Sequence, residues 1–379
     1  MSLAVAIVSR VVGDEPNGQV RDTYSDTWVA TDGLGRVLPS STEVGLPREN
    51  KTVGIFYFLW LGRHGEQGPF DISKILRSNP TAINNPLSPE WGAIGVPHHW
   101  AGPLFGYYVS DDDSVLRKHA QMLSDAGIDM VVFDVTNQLT YPESWRALCK
   151  VWDQMRREGN RVPQIAFLTP FGDPNKVVHE LWTQLYQPAN YEALWFRWEG
   201  KPLILADPAR ISDDAADQIH NFFTFRKPQP SYFIGPTGPE QWGWLEVAPQ
   251  HAFYKTVGTP EQITVGVAQN ALDGKLSVLS NPRSHGRSFH DSHEPAPEDC
   301  DTTGRNFSEQ WVRALEVDPP FVFVTGWNEW IAGRFDKNVP FYGSGPVTFV
   351  DQFNQEFSRD CEPMKGGHGD NYYYQLASQ

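Results

Sequence analysis

Apolar runs with almost no polar interruption recur from residue 51 onward, and amphipathic stretches separate them. An uninterrupted apolar run of this kind is typical of a strand that is buried on both faces of a parallel sheet. The predicted strands are residues 53–60, 128–135, 164–169, 202–206 and 232–234, a short piece that ends at Glu246, and residues 263–267 and 321–325. The piece before Glu246 is the least regular of the eight.

Helical patterns lie between these strands. The first has an apolar face from Val115 to Ala126, with Ser110 as its predicted N-cap. The later ones cover residues 144–158, 177–186, 213–223 and 307–315. Eight strands that alternate with helices predict one α/β domain, a (β/α)8 TIM barrel with long strand-to-helix loops, over residues 51–379. An open doubly wound sheet competes with it, but no Gly-rich phosphate-binding turn follows the first strand.

Residues 1–50 have a different composition from the rest of the chain. They are rich in Gly, Pro, Asp, Ser and Thr, with only short apolar patches. We expect an N-terminal extension with one or two strands that packs on the barrel.

The balance of charge and aromatic residues limits the partners. The formal net charge is -15, and the basic residues are scattered, which argues against nucleic acid and anionic membranes. The chain contains 14 Trp, more than a core needs, and the flat C–H faces of sugar rings stack on such side chains. A carbohydrate substrate is therefore favoured. The sequence gives no indication of the oligomeric state.

Cysteine content and apolar segments bear on localisation. Cys149 fits a helix core, whereas Cys300 and Cys361 lie in polar loops and are expected to pair if the protein is exported. No apolar segment approaches the roughly twenty residues of a membrane span. Residues 1–12 lack the features of a secretory signal. The protein is thus either cytoplasmic, or secreted or periplasmic with its signal peptide absent from this sequence.

Four carboxylates follow predicted strands, where the catalytic groups of such barrels lie. Glu329 lies between Trp327 and Trp330 after the last strand, and apolar neighbours raise the pKa of a carboxyl group towards that of a general acid. The alternatives are a helix cap or an ion pair with Arg334. Asp134 closes the second strand and is either catalytic or structural. The other two are Glu246, also near Trp side chains, and Asp207, which more simply begins a loop.

Glycoside hydrolysis uses two such carboxyl groups, so Glu329 with Asp134 or Glu246 is the predicted catalytic set. Trp91, Trp100, Trp244, Trp327 and Trp330 are the candidate stacking residues. Further substrate-binding candidates are Tyr57, His98, His99, Asn137 and Asn328. Because the first and last strands of a closed barrel are neighbours, the loop 61–108, with His98, His99 and Trp100, is expected to face Glu329.

Metal and cofactor chemistry is not expected. The stretch 285–294 contains His285, His290 and His293, but their spacing matches no recognised metal motif on a helix. A solvated loop or a sugar contact is the better interpretation. A metal-dependent enzyme that uses this loop remains a remote alternative, and no Gly-x-Ser-x-Gly nucleophile motif is present.

Three pieces of the sequence together resemble glycoside hydrolase families 99 and 71. They are residues 119–129, which lead into the second strand, Gly200-Lys201-Pro202-Leu203, and Trp327-Asn328-Glu329-Trp330. The resemblance covers about two thirds of the chain. It implies a (β/α)8 barrel that cleaves α-linked glycans with Glu329 in the active centre.

The chain also departs from that resemblance. Family 99 enzymes have a second Glu three residues after the first, and this position is Ala332 here. The segment 362–372 has no counterpart in the family, which indicates a distinct branch. The partner carboxylate must therefore come from another strand, or the protein is a catalytically silent glycan-binding barrel. An O-glycosyl hydrolase would turn over a glycan, whereas such a protein would bind the glycan without turnover.

Overall fold

Eight parallel strands follow one another around a nearly closed barrel, in their order along the chain. The computed structural model describes residues 30–45, 47–62, 68–336 and 345–379. The strands are β1 Thr52–Tyr57, β2 Met130–Asp134, β3 Gln164–Leu168, β4 Lys201–Leu205, β5 Thr224–Gln229, β6 Gln241–Gly243, β7 Gln262–Gly266 and β8 Phe321–Thr325. The (β/α)8 barrel predicted from the alternating pattern is confirmed.

The seam between β6 and β7 is closed by one side chain. Gln262 Oε1 accepts the Gly243 N–H at 3.0 Å, and Gln262 Nε2 donates to the Gly243 carbonyl at 3.0 Å. A buried peptide group without a partner is costly, so the amide of Gln262 supplies the two hydrogen bonds that a neighbouring strand would otherwise provide. The barrel therefore closes without a backbone ladder at this point.

Alternate residues of each strand face opposite sides of the sheet. Phe56, Met130 and Val132 lie in the cluster that fills the barrel, whereas Tyr57 and Phe133 pack outside it against the helices. By this alternation, Asp134 faces the inside of the barrel at its C-terminal end.

Eight α-helices are present among the described residues, and most of them cover the barrel. They are α1 Ser41–Val44, α2 Ile72–Ser78, α3 Asp113–Asp125, α4 Pro142–Arg157, α5 Asn175–Leu181, α6 Ala216–Phe222, α7 Arg305–Val317 and α8 Asn371–Ser378. The side chain of Asp112 caps α3, whereas Ser110, the predicted cap, accepts the Leu61 N–H. Three of these helices, α1, α2 and α8, were not predicted from the sequence.

Short elements complete the fold. Phe70–Asp71, Pro97–His99 and Ala332–Gly333 form a small three-stranded sheet beside the barrel mouth. Ala271–Leu272 pairs with Lys275–Leu276, and Arg197–Trp198 pairs with β4. Within the described ranges, one π-helical segment, Trp182–Tyr186, continues α5, and the 3-10 turns are Pro80–Asn84, Pro89–Trp91, Glu192–Leu194, Pro208–Arg210 and Pro297–Asp299.

The fifth strand differs from the prediction. The strand is Thr224–Gln229, and residues 232–234 are not part of it. The prediction missed this strand because Arg226 and Lys227 interrupt its apolar pattern. Arg226 is nevertheless buried, since Glu261 pairs with its guanidinium at 2.6 Å. Tyr232 lies in the cluster inside the barrel instead.

A segment after β8 runs back along the strand end. The Gly326 N–H donates to the Arg359 carbonyl, the Cys361 N–H to Gly326, and the Glu362 N–H to Trp327, at 3.0–3.1 Å. This pairing fixes residues 359–362 beside Glu329. We call residues 345–364 the return segment.

The described part of the N-terminal extension packs on the opposite end of the chain. Arg36 donates to the carbonyls of Thr303 and Asn371, and Gly33 donates to Asp370. Residues 1–29 lie outside the described residues, so the strands expected there and the domain boundary at residue 50 stay predictions. No helix in the described part of the chain has the length and apolarity to cross a membrane.

All three cysteines are unpaired, so the expected bridge between Cys300 and Cys361 is wrong. Cys361 is fully buried next to β8, whereas Cys300 lies in a loop where its thiol approaches the Ala296 carbonyl at 3.5 Å. Burial raises the pKa of the Cys300 thiol to about 11, which disfavours the reactive thiolate.

Candidate active site

Glu329 lies at the C-terminal end of the barrel, directly after β8. Its side chain is 5% exposed, and its Oε2 accepts a hydrogen bond from Arg359 Nη2 at 2.8 Å. The Glu329 N–H donates to the Asp360 carboxylate. Arg359 thus takes the place of Arg334, the partner considered from sequence, because Arg334 donates to the Pro86 and Gly92 carbonyls.

Arg359 connects Glu329 to a second carboxylate. The same Nη2 donates to Asp351 Oδ1 at 2.9 Å, so the two acidic oxygens lie less than about 6 Å apart. Arg359 Nη1 donates to Asn270 Oδ1 at 3.0 Å, and the Tyr232 hydroxyl donates to the same oxygen at 2.8 Å. The guanidinium is therefore held from two sides.

Burial governs the protonation of Glu329. Loss of water contact raises the pKa of its carboxyl group well above the ordinary value, and the positive charge of Arg359 acts in the opposite direction. The charges of Asp351, Asp360 and Asp134 raise the pKa further. One arginine cannot neutralise four carboxylates, so the net effect on the pKa of Glu329 is upward.

Asp134 supplies the second predicted carboxyl group of the mouth. Its Oδ1 accepts the Thr136 N–H at 2.9 Å, and its side chain is partly exposed. Burial raises its pKa to about 6, against the effect of Thr136. Asp134 is therefore largely ionised at pH 7, while its negative charge acts on Glu329. The structure thus brings Asp134 and Glu329 to one electrostatic centre.

Glu246 makes its contacts elsewhere. It is fully buried and accepts the His251 N–H at 2.8 Å and bonds His251 Nδ1 at 3.1 Å. Burial raises the pKa of Glu246, and His251 opposes the shift. These contacts tie a loop to the barrel end. Asp207 begins a loop, as its sequence suggested, and pairs with Lys227 at 2.7 Å.

The residues around Glu329 in the Trp-Asn-Glu-Trp stretch are buried and hold the backbone. Asn328 accepts the Phe58 N–H at 2.8 Å and donates to the Phe58 carbonyl at 3.3 Å, which joins the ends of β1 and β8. Trp327 and Trp330 are both fully buried. In this arrangement the two indoles pack inside the protein and present no face to a sugar.

Glu362 is the centre of a buried polar network behind Glu329. His119 Nε2 lies 2.9 Å from its Oε1, and the Tyr108 hydroxyl and Trp330 Nε1 donate to its Oε2 at 2.8 and 2.5 Å. The Tyr57 hydroxyl lies 2.8 Å from His119 Nδ1. Tyr57, a predicted substrate contact, therefore belongs to this network outside the barrel.

Two of the predicted side chains in the described part of the loop 61–108 pack into the protein. His98 is fully buried among Phe70, Trp91 and Phe349, and burial lowers its pKa to about 4. Trp100 is 6% exposed and contacts Trp330 at a ring distance of 6.3 Å. His98 and Trp100 thus pack behind the mouth.

His99 and the position of the missing second glutamate lie in the same region. His99 is partly exposed and contacts Tyr107. Ala332, the position of the second Glu in family 99, pairs with His98 in the small sheet and is 2% exposed. A carboxylate at this buried position would have little contact with water.

Trp244 and Asn137 follow β6 and β2, at the same end of the barrel as Glu329. Trp244 packs against Phe56, Phe171 and Tyr232, and the Arg359 guanidinium lies 5.9 Å from its ring. Asn137 is exposed and donates to the Tyr141 hydroxyl.

A cleft of about 540 Å³ runs between the loops that follow β1 and β2. Trp60 and Tyr141 are the aromatic residues of its lining, and Asp111 and Glu143 are the acidic ones. Neither Glu329 nor Asp134 lines this cleft, although the negative charge of Asp134 acts on Tyr141. Its size and its mixed apolar and acidic lining suit a small polar ligand.

One cluster could hold a metal ion. Single ligand atoms of Glu294, Cys300 and Glu356 lie within 4.8 Å of one another, in the region of the His-rich loop. Burial, together with the charge of the neighbouring Glu356, raises the pKa of Glu294 to about 8. A proton on Glu294 therefore accounts for the two adjacent carboxyl groups without a metal.

The return segment contains the residues that sequence reasoning missed. Asp351, Arg359 and Glu362 occupy irregular backbone, where no apolar period marks a strand end. The available signal is that three of the four residues 359–362 are charged and surround Cys361. Charges are costly inside a protein unless they are paired, so such a cluster indicates a buried polar network.

Comparison with known proteins gives structural similarity only. No family model matches the chain, and no curated protein matches it. Two similar structures are of the GH99 endo-alpha-mannosidase from Bacteroides thetaiotaomicron, one of them in complex with Bis-Tris propane. Each is 15% identical and covers 86% of this chain and 95% of its own, with TM-scores of 0.48 and 0.45.

A glycoside hydrolase-like protein is 12% identical, with a TM-score of 0.45, and covers 88% of this chain and 96% of its own. These are distant similarities, and two of the three structures belong to the family whose motifs the sequence resembles. At such identities, the activity of this chain has to be argued from its own residues.

Proposed function

We propose that the protein is an O-glycosyl hydrolase, in which Glu329 and Asp134 are the reacting carboxyl groups. The observation that carries the proposal is their placement at the catalytic end of the barrel, in unequal environments. Burial raises the pKa of the Glu329 carboxyl group well above its ordinary value, whereas Asp134 is partly exposed and burial raises its pKa only to about 6. One protonated and one ionised carboxyl group are what glycosidic cleavage requires.

The roles follow from the protonation states. Glu329 donates its proton to the leaving glycosidic oxygen, and the negative charge of Asp134 stabilises the oxocarbenium-like transition state. Water completes the hydrolysis and returns a proton to Glu329. The cleft between Trp60 and Tyr141 receives the adjoining sugar units. From the motif resemblance, α-linked glycans are the substrate class to test first.

The test is turnover of a panel of α-linked oligosaccharides and polysaccharides by the wild type and by Glu329→Gln. The amide keeps the shape of the side chain and cannot transfer the proton, so we expect kcat to fall by about 10²–10⁴. Glu316→Gln, at an exposed position on α7, serves as the matched control. Normal turnover by the Glu329 variant would remove Glu329 from the reaction.

A glycan-binding protein without catalysis is the second candidate. The 5% exposure of the Glu329 side chain and the apolar surroundings of Ala332 favour it. Calorimetric binding of a panel member, together with no product after long incubation with the wild type, would identify this function.

A further inference from the structure

We propose that Asp351 controls the proton of Glu329 through Arg359, as a positioning residue that occupies the charge of the guanidinium. The proposal rests on the function proposed above and adds the group that keeps the acid in its protonated form. Three observations lead to it: a shared donor atom, a fixed arginine and a difference in exposure.

The shared donor atom is Arg359 Nη2. It bonds Glu329 Oε2 at 2.8 Å and Asp351 Oδ1 at 2.9 Å, so both carboxyl groups compete for the same positive charge. A guanidinium that is already paired with an ionised carboxylate stabilises a second negative charge much less. Asp351 therefore removes the main reason for Glu329 to ionise.

The side chain of Arg359 is held in position by its other contacts. Asn270 Oδ1 accepts from its Nη1 at 3.0 Å, Tyr232 holds Asn270 in place, and the side chain of Arg359 is 2% exposed. Burial lowers the pKa of Arg359, but the charge of Asp351 opposes this effect, and a guanidinium keeps its proton in proteins. The arginine thus stays charged and stationary.

The two carboxyl groups differ in access to water. The side chain of Asp351 is 35% exposed, whereas that of Glu329 is 5% exposed. Ionisation is cheaper for the group in contact with water, so Asp351 carries the negative charge and Glu329 keeps the proton. Glu329 can then accept from Arg359 through Oε2 while its other oxygen presents the proton to the substrate.

Other charged groups around Glu329 act in the same direction as Asp351. Asp360 accepts the Glu329 N–H, and Asp134 faces it from β2; both charges raise the pKa of Glu329. Arg359 is the cation that opposes them. Loss of the Asp351 charge is therefore expected to shift the balance towards ionised Glu329.

The experiment needs no substrate in its first arm. The carboxyl carbon of Glu329 is followed by ¹³C NMR over a pH titration and is assigned by its absence in Glu329→Gln. In Asp351→Asn we expect Glu329 to titrate at least about one pH unit lower than in the wild type. Asp351→Glu should restore the wild-type titration, and Asp217→Asn, exposed on α6, is the matched control.

The second arm measures kcat/KM against pH on a substrate found in the panel. The alkaline limb should move to lower pH in Asp351→Asn by the same amount, while activity at acid pH is retained. Asp351→Ser provides a second variant if the amide perturbs folding. If no glycan is cleaved, the proposed function fails, but the titration still decides the role of Asp351.

Two results would overturn the inference. An unchanged Glu329 titration in Asp351→Asn and in Asp351→Ser would show that Arg359 does not transmit the charge of Asp351. Equal loss of activity at every pH, with an unchanged titration, would make Asp351 either a reacting group or a structural one.

Discussion

At the scale of single residues, the polar groups behind the mouth hold the site in place. Glu362 is fully buried and accepts hydrogen bonds from His119, Tyr108 and Trp330. The same imidazole also contacts the Tyr57 hydroxyl, which lies 2.8 Å from His119 Nδ1. Because Glu362 lies three residues beyond Arg359, this network fixes the return segment next to Glu329.

We expect Glu362→Gln to reduce the free energy of unfolding by about 1–3 kcal/mol, since the amide would turn an NH₂ group towards at least one buried donor. Urea denaturation monitored by tryptophan fluorescence measures the change. Glu316→Gln, at an exposed position, should change it by less than about 0.5 kcal/mol. Equal midpoints for the two variants would contradict a structural role of Glu362.

The sequence predicted the site residues unevenly, for a physical reason. Asp134 and Glu329 follow apolar strands, and the barrel geometry alone places such positions at the catalytic end. Asp351 and Arg359 belong to irregular backbone, whose path depends on hydrogen bonds to Gly326 and Trp327 that no local pattern encodes. The catalytic role of Glu246 and the binding of substrate by the predicted aromatic residues stay predictions.

At the scale of elements, the barrel is least regular where the sequence pattern is weakest. The run Phe321–Thr325 has no charged residue and matches β8 exactly as predicted. β5 contains Arg226 and Lys227, and β6 has three residues, so neither resembles a buried strand. The pattern failed at these two strands because side-chain pairing, with Glu261 and Gln262, replaces apolar packing there.

The seam provides a test of this interpretation. Gln262→Leu leaves the Gly243 N–H and carbonyl without their partner, and we expect it to lower the free energy of unfolding by about 2 kcal/mol or more. Thr264→Val is the matched control on β7, because no described group bonds the buried Thr264 hydroxyl. Thermal unfolding should separate the variants. A leucine variant as stable as the valine variant would show that the seam needs no amide.

At the scale of the whole molecule, acidic groups that lose water on folding set the pH dependence of stability. Burial raises the pKa of Asp134 to about 6, of Asp360 to about 7 and of Glu294 to about 8. Their ordinary pKa in an unfolded chain is about 4. The folded state therefore binds more protons than the unfolded state between about pH 4 and pH 8.

The contribution of these groups to the free energy of unfolding should therefore be fully present below about pH 4. It should be lost as the pH rises through their pKa values in the folded state. We expect the melting temperature to fall from pH 5 to pH 8, with the net charge of -15 adding repulsion in the same direction. Asp360→Asn keeps an acceptor for the Glu329 N–H and should flatten the dependence. A melting temperature that rises over this interval would contradict the assignment.

The return segment also has a consequence for synthesis of the protein. Arg359 is translated 30 residues after Glu329. Asp134 is translated much earlier, as the last residue of β2. A ribosome that has just completed β8 carries a nascent barrel with both acids and without their cation. The polar contacts around Glu329 are therefore completed only after the return segment has left the exit tunnel, even when the barrel has already formed.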